Sequence, residues 1–95
     1  MLPSIKELKV LELLATATEL YGLQMVDSSQ GALKRGTIYV TLSRMQKKGY
    51  VESWLDDESP SQGPPRRLYR ITLPGRRALK TSRMVHRTLK TEHAL

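Results

Sequence analysis

The sequence predicts a mostly helical α+β fold: three helices, a two-stranded antiparallel ribbon and a last helix. Three observations lead there. The first half of the chain repeats apolar residues at helical spacing, punctuated by turn residues. Two short runs rich in β-formers, "VESWL" (51–55) and "RLYRIT" (67–72), flank a polar loop. Beyond them, Ala78, Ser82, Val85 and Leu89 form a single helical stripe.

Ser4 and Glu7 stand three apart ahead of an apolar run, the pattern of a capping box, so a first helix is expected over about residues 5–16. Its polar residues Lys6, Glu7, Lys9 and Glu12 come early, and "VLELLATA" is apolar on more than one face. Such a helix is usually covered on two sides. Its own core explains one side, and a partner subunit meeting Leu11 and Leu14 is expected on the other. Thr18 can cap a second helix at about 19–28, with Leu20, Leu23 and Val26 as core positions. "SSQGALKRG" then reads as a turn. A third helix begins at Gly36–Thr37 and stops at Gly49, which can take the left-handed C-cap conformation. Lys47 and Lys48 suit the negative end of that helix's dipole.

The loop "DDESPSQGPPR" contains Ser, Gly and Pro and cannot be helical, so the two strands read as a hairpin with a long tip. Thr72 can cap the last helix, with Pro74 in its first turn, where proline is tolerated. Arg76, Lys80, Arg83, Arg87 and Lys90 lie opposite the Ala78–Leu89 stripe. No linker or internal repeat divides the chain, so residues 1–72 and 73–95 are expected to be parts of one domain.

The chain has 95 residues and no cysteine, and its net charge is +7. A domain this small buries a modest fraction of its surface, and dimerisation is a common remedy. Without cysteine there are neither disulfides nor thiolate metal sites, which fits a reducing cytoplasm. The apolar run is too short to span a bilayer and lacks the basic lead-in of a signal peptide. The charge is unevenly spread, with +4 over residues 34–55 and +8 over residues 66–95, against −2 over residues 1–33 and −3 at Asp56–Glu58. Two concentrated basic segments point to a polyanion, nucleic acid before an anionic membrane. His86 and His93 lie seven apart with only Glu92 nearby, so no metal and no cofactor is expected. No phosphate loop or nucleophile elbow is present, and no enzyme is read.

The third helix carries the most information. Ile38, Leu42 and Met45 fall in one arc and should face the core. The opposite arc holds Val40, Ser43, Arg44 and Lys47. Thr37, Thr41 and Lys48 flank it on one side, Tyr39 and Gln46 on the other. Small hydroxyls, cations and one small apolar group suit a helix in the major groove. Arginine can grip guanine or a phosphate, and a small apolar group can touch the thymine methyl. Lys34, Arg35 and Gly36 precede the helix, where backbone N–H groups can meet a phosphate. In the hairpin loop Gln62, Arg66 and Arg67 can reach the DNA backbone or minor groove. The acidic trio Asp56–Glu58 either faces away or pairs with Arg66, Arg67 or Arg70. Trp54 alternates away from Val51, Ser53 and Leu55 and can cover the hairpin. A non-specific nucleic-acid module and a fold used only for protein contacts remain alternative readings.

Three helices followed by a two-stranded ribbon make a winged helix-turn-helix. The segments "ELYGLQMVDSS", "GTIYVTLSRMQKKGYVES" and "GPPRRLYRITLPGRRAL" resemble, in order and spacing, those of the PadR family of bacterial transcriptional regulators. The resemblance covers about residues 5–79. It implies a homodimeric repressor of transcription; in a dimer two recognition helices would sit about one turn of double-stranded DNA apart, which favours an inverted-repeat operator. It further implies a third helix in the major groove, a wing on the backbone or minor groove, and a last helix that dimerises. Gly36, Thr37 and Tyr39 would begin the recognition helix, with the Tyr39 hydroxyl on a phosphate. Val40 stands where family members often have proline, and Arg44 lies a turn further along. The wing departs from the family's usual Gly-Arg-Pro, reading Gly63-Pro64-Pro65, which leaves Arg66 and Arg67 as phosphate contacts. A small-molecule effector is compatible with the family, lined by Trp54 or the first helix, but no separate effector domain is expected. The dimer interface is expected at Leu11, Leu14, Ala78, Ser82, Val85 and Leu89.

Overall fold

The computed structural model describes residues 2–58 and 66–93, with side chains as far as Leu89. Helix α1 (Ile5–Thr16) starts at the expected capping box. The Glu7 N–H donates to Ser4 Oγ at 3.2 Å and the Ser4 N–H to Glu7 Oε1 at 2.9 Å.

The next segment corrects the sequence expectation. Leu20 and Tyr21 are extended as strand β1 (Leu20–Tyr21), and helix α2 (Gly22–Ser28) begins only after them. Leu20 pairs with Tyr69 and Tyr21 with Leu68. Backbone pairing with a distant strand overrides the local helical pattern here. The Tyr21 N–H donates to Gln24 Oε1 at 2.8 Å at the delayed helix start. With the helix starting at Gly22, Met25 points fully into the core, whereas Leu20, Leu23 and Val26 are only half-buried.

The turn after α2 is held by Ser29. Its hydroxyl donates to the Val26 carbonyl at 2.8 Å and accepts from the Leu33 N–H at 2.9 Å. Gln30 and Gly31 both have positive φ, 54° and 88°, which reverses the chain. Helix α3 (Ile38–Lys47) follows, and Gly49 ends it at φ 80°, the left-handed C-cap expected. Strands β2 (Val51–Asp56) and β3 (Arg66–Ile71) form the hairpin, from Val51↔Ile71 to Asp56↔Arg66. The sheet has three antiparallel strands in the order β1-β3-β2, one more than the expected ribbon.

Helix α4 (Leu73–His93) is capped by Thr72, whose hydroxyl accepts from the Gly75 N–H at 3.1 Å. The same hydroxyl donates to the Gly49 carbonyl, and the Thr72 N–H donates to the Tyr50 carbonyl at 3.1 Å. The end of α3 and the start of α4 are therefore tied directly together.

Val10, Leu11, Leu14, Met25, Ile38, Leu42 and Met45 make the centre of the core, each 0–1% exposed. Burying a side chain of this size contributes about 1.5–3 kcal/mol. Leu11 and Leu14 were expected at a subunit interface; they lie instead inside the core of the single chain, against its own helices and sheet. The reason is the phase of α1: Glu7, Val10, Leu11 and Leu14 share the face turned to the core. Leu8, Leu13 and Ala15 form the half-buried flanks. On α4 the stripe divides. Ala78 and Ser82 pack on the domain beside the buried Leu79, whereas Val85 and Leu89 are exposed.

Candidate nucleic-acid interface

Ile38, Leu42 and Met45 are buried, as their spacing requires, so the opposite face of α3 must look outward. Tyr39 and Val40 are 52% and 53% exposed on it, and Ser43, Arg44 and Lys47 are exposed with them. Lys34, Arg35, Gly36 and Thr37 are exposed in the turn ahead of the helix, and Thr41 is half-buried. The Thr37 and Ile38 N–H groups donate to the Lys34 carbonyl at 3.2 and 3.0 Å, which folds that basic turn onto the helix start. Arg66 and Arg67 are exposed on β3. Gln62 lies outside the described residues.

Two clefts border the exposed ridge. On one side, α1 and α3 enclose a cleft lined by Lys6, Glu7, Thr37, Val40, Thr41, Arg44 and Lys48. On the other, α3 and β3 enclose one lined by Tyr39, Ser43, Gln46, Lys47, Arg67 and Tyr69. This reproduces the sides assigned from helical spacing: Thr37, Thr41 and Lys48 on one flank, Tyr39 and Gln46 on the other.

Lys48 does not reach outward freely. Its ammonium sits 3.0 Å from both Glu7 carboxylate oxygens. Burial opposes charge on Glu7, but the Ser4 backbone N–H and the Lys48 ammonium outweigh it and hold the carboxyl below its ordinary value. This pair joins the start of α1 to the end of α3. On the other flank, burial pushes the Tyr69 phenol above its ordinary value; the Arg67 charge opposes this and neighbouring Tyr39 adds to it. Tyr69 stays neutral at physiological pH.

Tyr39 is positioned by a glycine. A Cβ at Gly22 would lie 2.8 Å from Tyr39 Cε1 and 3.3 Å from its hydroxyl oxygen. The first residue of α2 thus serves as a bare shelf for the ring. The acidic residues of the hairpin are partly accounted for. Asp56 accepts from the Tyr21 hydroxyl, and Glu52 pairs with Arg70, whose guanidinium lies 5.4 Å from the centre of the Trp54 ring. The Gly22 shelf, the Glu7–Lys48 pair and the Tyr21–Asp56 bond went unread in the sequence. Only Glu7 carried a signal, as half of a capping box.

Among the described residues, no group of three or more His, Asp or Glu is placed to hold a metal ion, and no helix is long and apolar enough to cross a membrane.

Residues 10–81 match the family described as "Transcriptional regulator PadR-like family". No curated protein matches the chain. Among solved structures, a PadR family transcription regulator from Clostridium difficile is similar at 25% identity and a TM-score of 0.79, covering 93% of each chain. A PadR family transcriptional regulator from Eggerthella lenta is similar at 24% identity and 0.77, covering 93% of this chain and 77% of that one. Bacillus subtilis PadR, solved in complex with operator DNA, shares the fold at 19% identity and a TM-score of 0.69, over 81% of this chain and 45% of its own. Two thirds of the chain and more, from α1 into α4, thus carries one family's sequence pattern on that family's winged-helix architecture, and the chain belongs to the PadR-like family of transcriptional regulators, not of enzymes.

Proposed function

We propose that the chain binds operator DNA sequence-specifically and represses transcription in the cytoplasm, as a homodimer on an inverted repeat. The observation that carries the reading is the outward face of α3. Apart from Tyr39 at its edge, its side chains are small or cationic, Val40 stands uncovered at its centre, and Arg35 and Arg67 border it. Val40 and the threonines keep the ridge slim enough for the major groove, while Arg44 and Lys47 supply contacts to base edges or phosphates. Tyr39, Lys34, Arg35, Gly36 and Thr37 would meet the backbone at the helix start, with Arg67 approaching from the wing. The operator complex of Bacillus subtilis PadR supports the reading through the shared fold.

The homodimer is supported by α4. Met84, Val85 and Leu89 are exposed, and Leu2, Pro3, Leu8, Leu79, Val85 and Leu89 line a groove between α1 and α4, with Glu12, Arg83, His86 and Arg87 among them. A second copy seated there would bring two α3 helices about one DNA turn, roughly 34 Å, apart. The same groove is where a small-molecule effector would be accommodated. Fluorescence anisotropy against the promoter of the adjacent genes, with random-duplex competition and a salt series, tests the proposal. The expected result is tight, salt-dependent binding that random duplex competes for poorly. Equal affinity for random duplex would make the chain a non-specific module, and no binding at low salt would leave a protein-contact domain. A monomer by sedimentation at micromolar concentration would refute the dimer.

A further inference from the structure

Arg66 and Arg67 are adjacent in sequence, yet strand alternation sends them to opposite faces of the sheet. Arg66 is on the outer face with Tyr21, Trp54 and Arg70. Its guanidinium lies 5.4 Å from the Tyr21 ring centre, and the Tyr21 hydroxyl donates to Asp56, the cross-strand partner of Arg66. Arg66 thus rests on an aromatic ring with a carboxylate close by. Arg67 is on the inner face, toward α3. Its Nε donates to Ser53 Oγ at 3.1 Å, and that hydroxyl donates to Gln46 Oε1 on α3 at 2.9 Å.

These two settings differ in charge. Both members of the chain that holds Arg67 are neutral, so its positive charge is kept while its stem is fixed. An arginine also has four further N–H groups beyond the one on Nε. Arg67 lines the cleft shared with Tyr39 and Lys47. Arg66, by contrast, is braced by the Tyr21 ring, at the edge of a cleft that Arg35, Tyr39 and Arg67 also line.

We propose that Arg67 is the described wing residue that meets a DNA phosphate, that Ser53 is the positioning residue holding it in line with the recognition helix, and that Arg66 braces the wing base instead. Gln46 anchors the relay on α3, so helix and wing present their cations as one unit. This rests on the reading that the chain binds duplex DNA.

The test uses the full chain and a mixed-sequence duplex about three helical turns long, with affinity measured across a salt series. Arg67→Ala should weaken binding about ten-fold and lower the salt slope by about one per protomer. Arg67→Gln should match it, as a variant that keeps most of the side chain's packing. Arg66→Ala should leave the slope unchanged and lower only the thermal midpoint. Ser53→Ala should weaken binding in the unsubstituted background, have no further effect beside Arg67→Ala, and be rescued by Ser53→Thr. An equal loss of slope in Arg66→Ala, or a Ser53→Ala effect that adds to that of Arg67→Ala, overturns this inference while leaving DNA binding intact. Absence of binding by the unsubstituted chain removes the DNA reading itself, and this inference with it.

Discussion

Gly22→Ala should separate DNA affinity from stability. The added Cβ would sit 2.8 Å from Tyr39 Cε1, where ordinary contact begins at 3.4 Å, so the ring must retreat by about 0.6 Å. The ring is half-exposed and free to swing, so the fold is not strained severely. Gly22 is the first residue of α2, so the retreat of the exposed ring, rather than any gain in helix propensity, keeps the cost to stability small. The hydroxyl at the far end of the ring moves at least as far as its edge. Hydrogen bonds tolerate only a few tenths of an ångström, from about 2.7 to 3.2 Å, so a phosphate contact would be lost. A hydrogen bond to a charged group is worth about 1.5–3 kcal/mol, so affinity should fall at least ten-fold. Anisotropy titration should show that loss, with a thermal midpoint near that of the unsubstituted chain at equal protein concentration. Tyr39→Phe should reproduce the loss, and the double variant should be no worse than either. Unchanged affinity for Gly22→Ala, beside a clear loss for Tyr39→Phe, would refute the shelf argument.

Gly75→Ala should be a stability variant instead, because its Cβ would stand 2.2 Å from the Tyr50 carbonyl oxygen, which is backbone and cannot swing aside. Overpacking of this kind costs about 1–3 kcal/mol, and each kcal/mol lowers the melting midpoint by about 4–8 °C in a domain this size; Gly36→Ala, with nothing within 4 Å, is the matched control. Glu7 makes stability pH-dependent. Its folded pKa is lowered, so its contribution is present above the ordinary value of 4.5 and is lost as pH falls through the depressed folded value. The difference in midpoint between the unsubstituted chain and Glu7→Gln should therefore be constant near neutrality and shrink in acid, whereas a difference independent of pH would contradict the ion-pair account. Arg44→Ala should cost about 1–3 kcal/mol of specific binding if Arg44 reads a base, whereas equal weakening on every duplex would make it a phosphate contact.

The elements most legible in the sequence are those built from neighbours. The α1 start follows from Ser4 and Glu7, the α3 stop from Gly49, the α4 start from Thr72, and the two faces of α3 from spacing alone. The first helix was harder to read. Its two apolar sides suggested a partner at Leu11 and Leu14, but both belong to the single chain's core. Composition cannot tell a residue covered by its own sheet from one covered by another subunit. The short strand β1 was likewise read as helix, because two residues have no periodicity and their pairing partners, Tyr69 and Leu68, lie far along the chain.

For the candidate interface, the sequence by itself determined which cations and small residues share the outward face of α3, since a helix of fixed pitch leaves no choice once its apolar stripe is buried. Tertiary structure decided what holds them. It set Tyr39 on Gly22, closed Lys48 onto Glu7 across 41 residues of chain, and gave Arg67 to α3 and Arg66 to Tyr21. Each of these depends on two backbone segments approaching within a few ångströms, and no local pattern of residues encodes that approach.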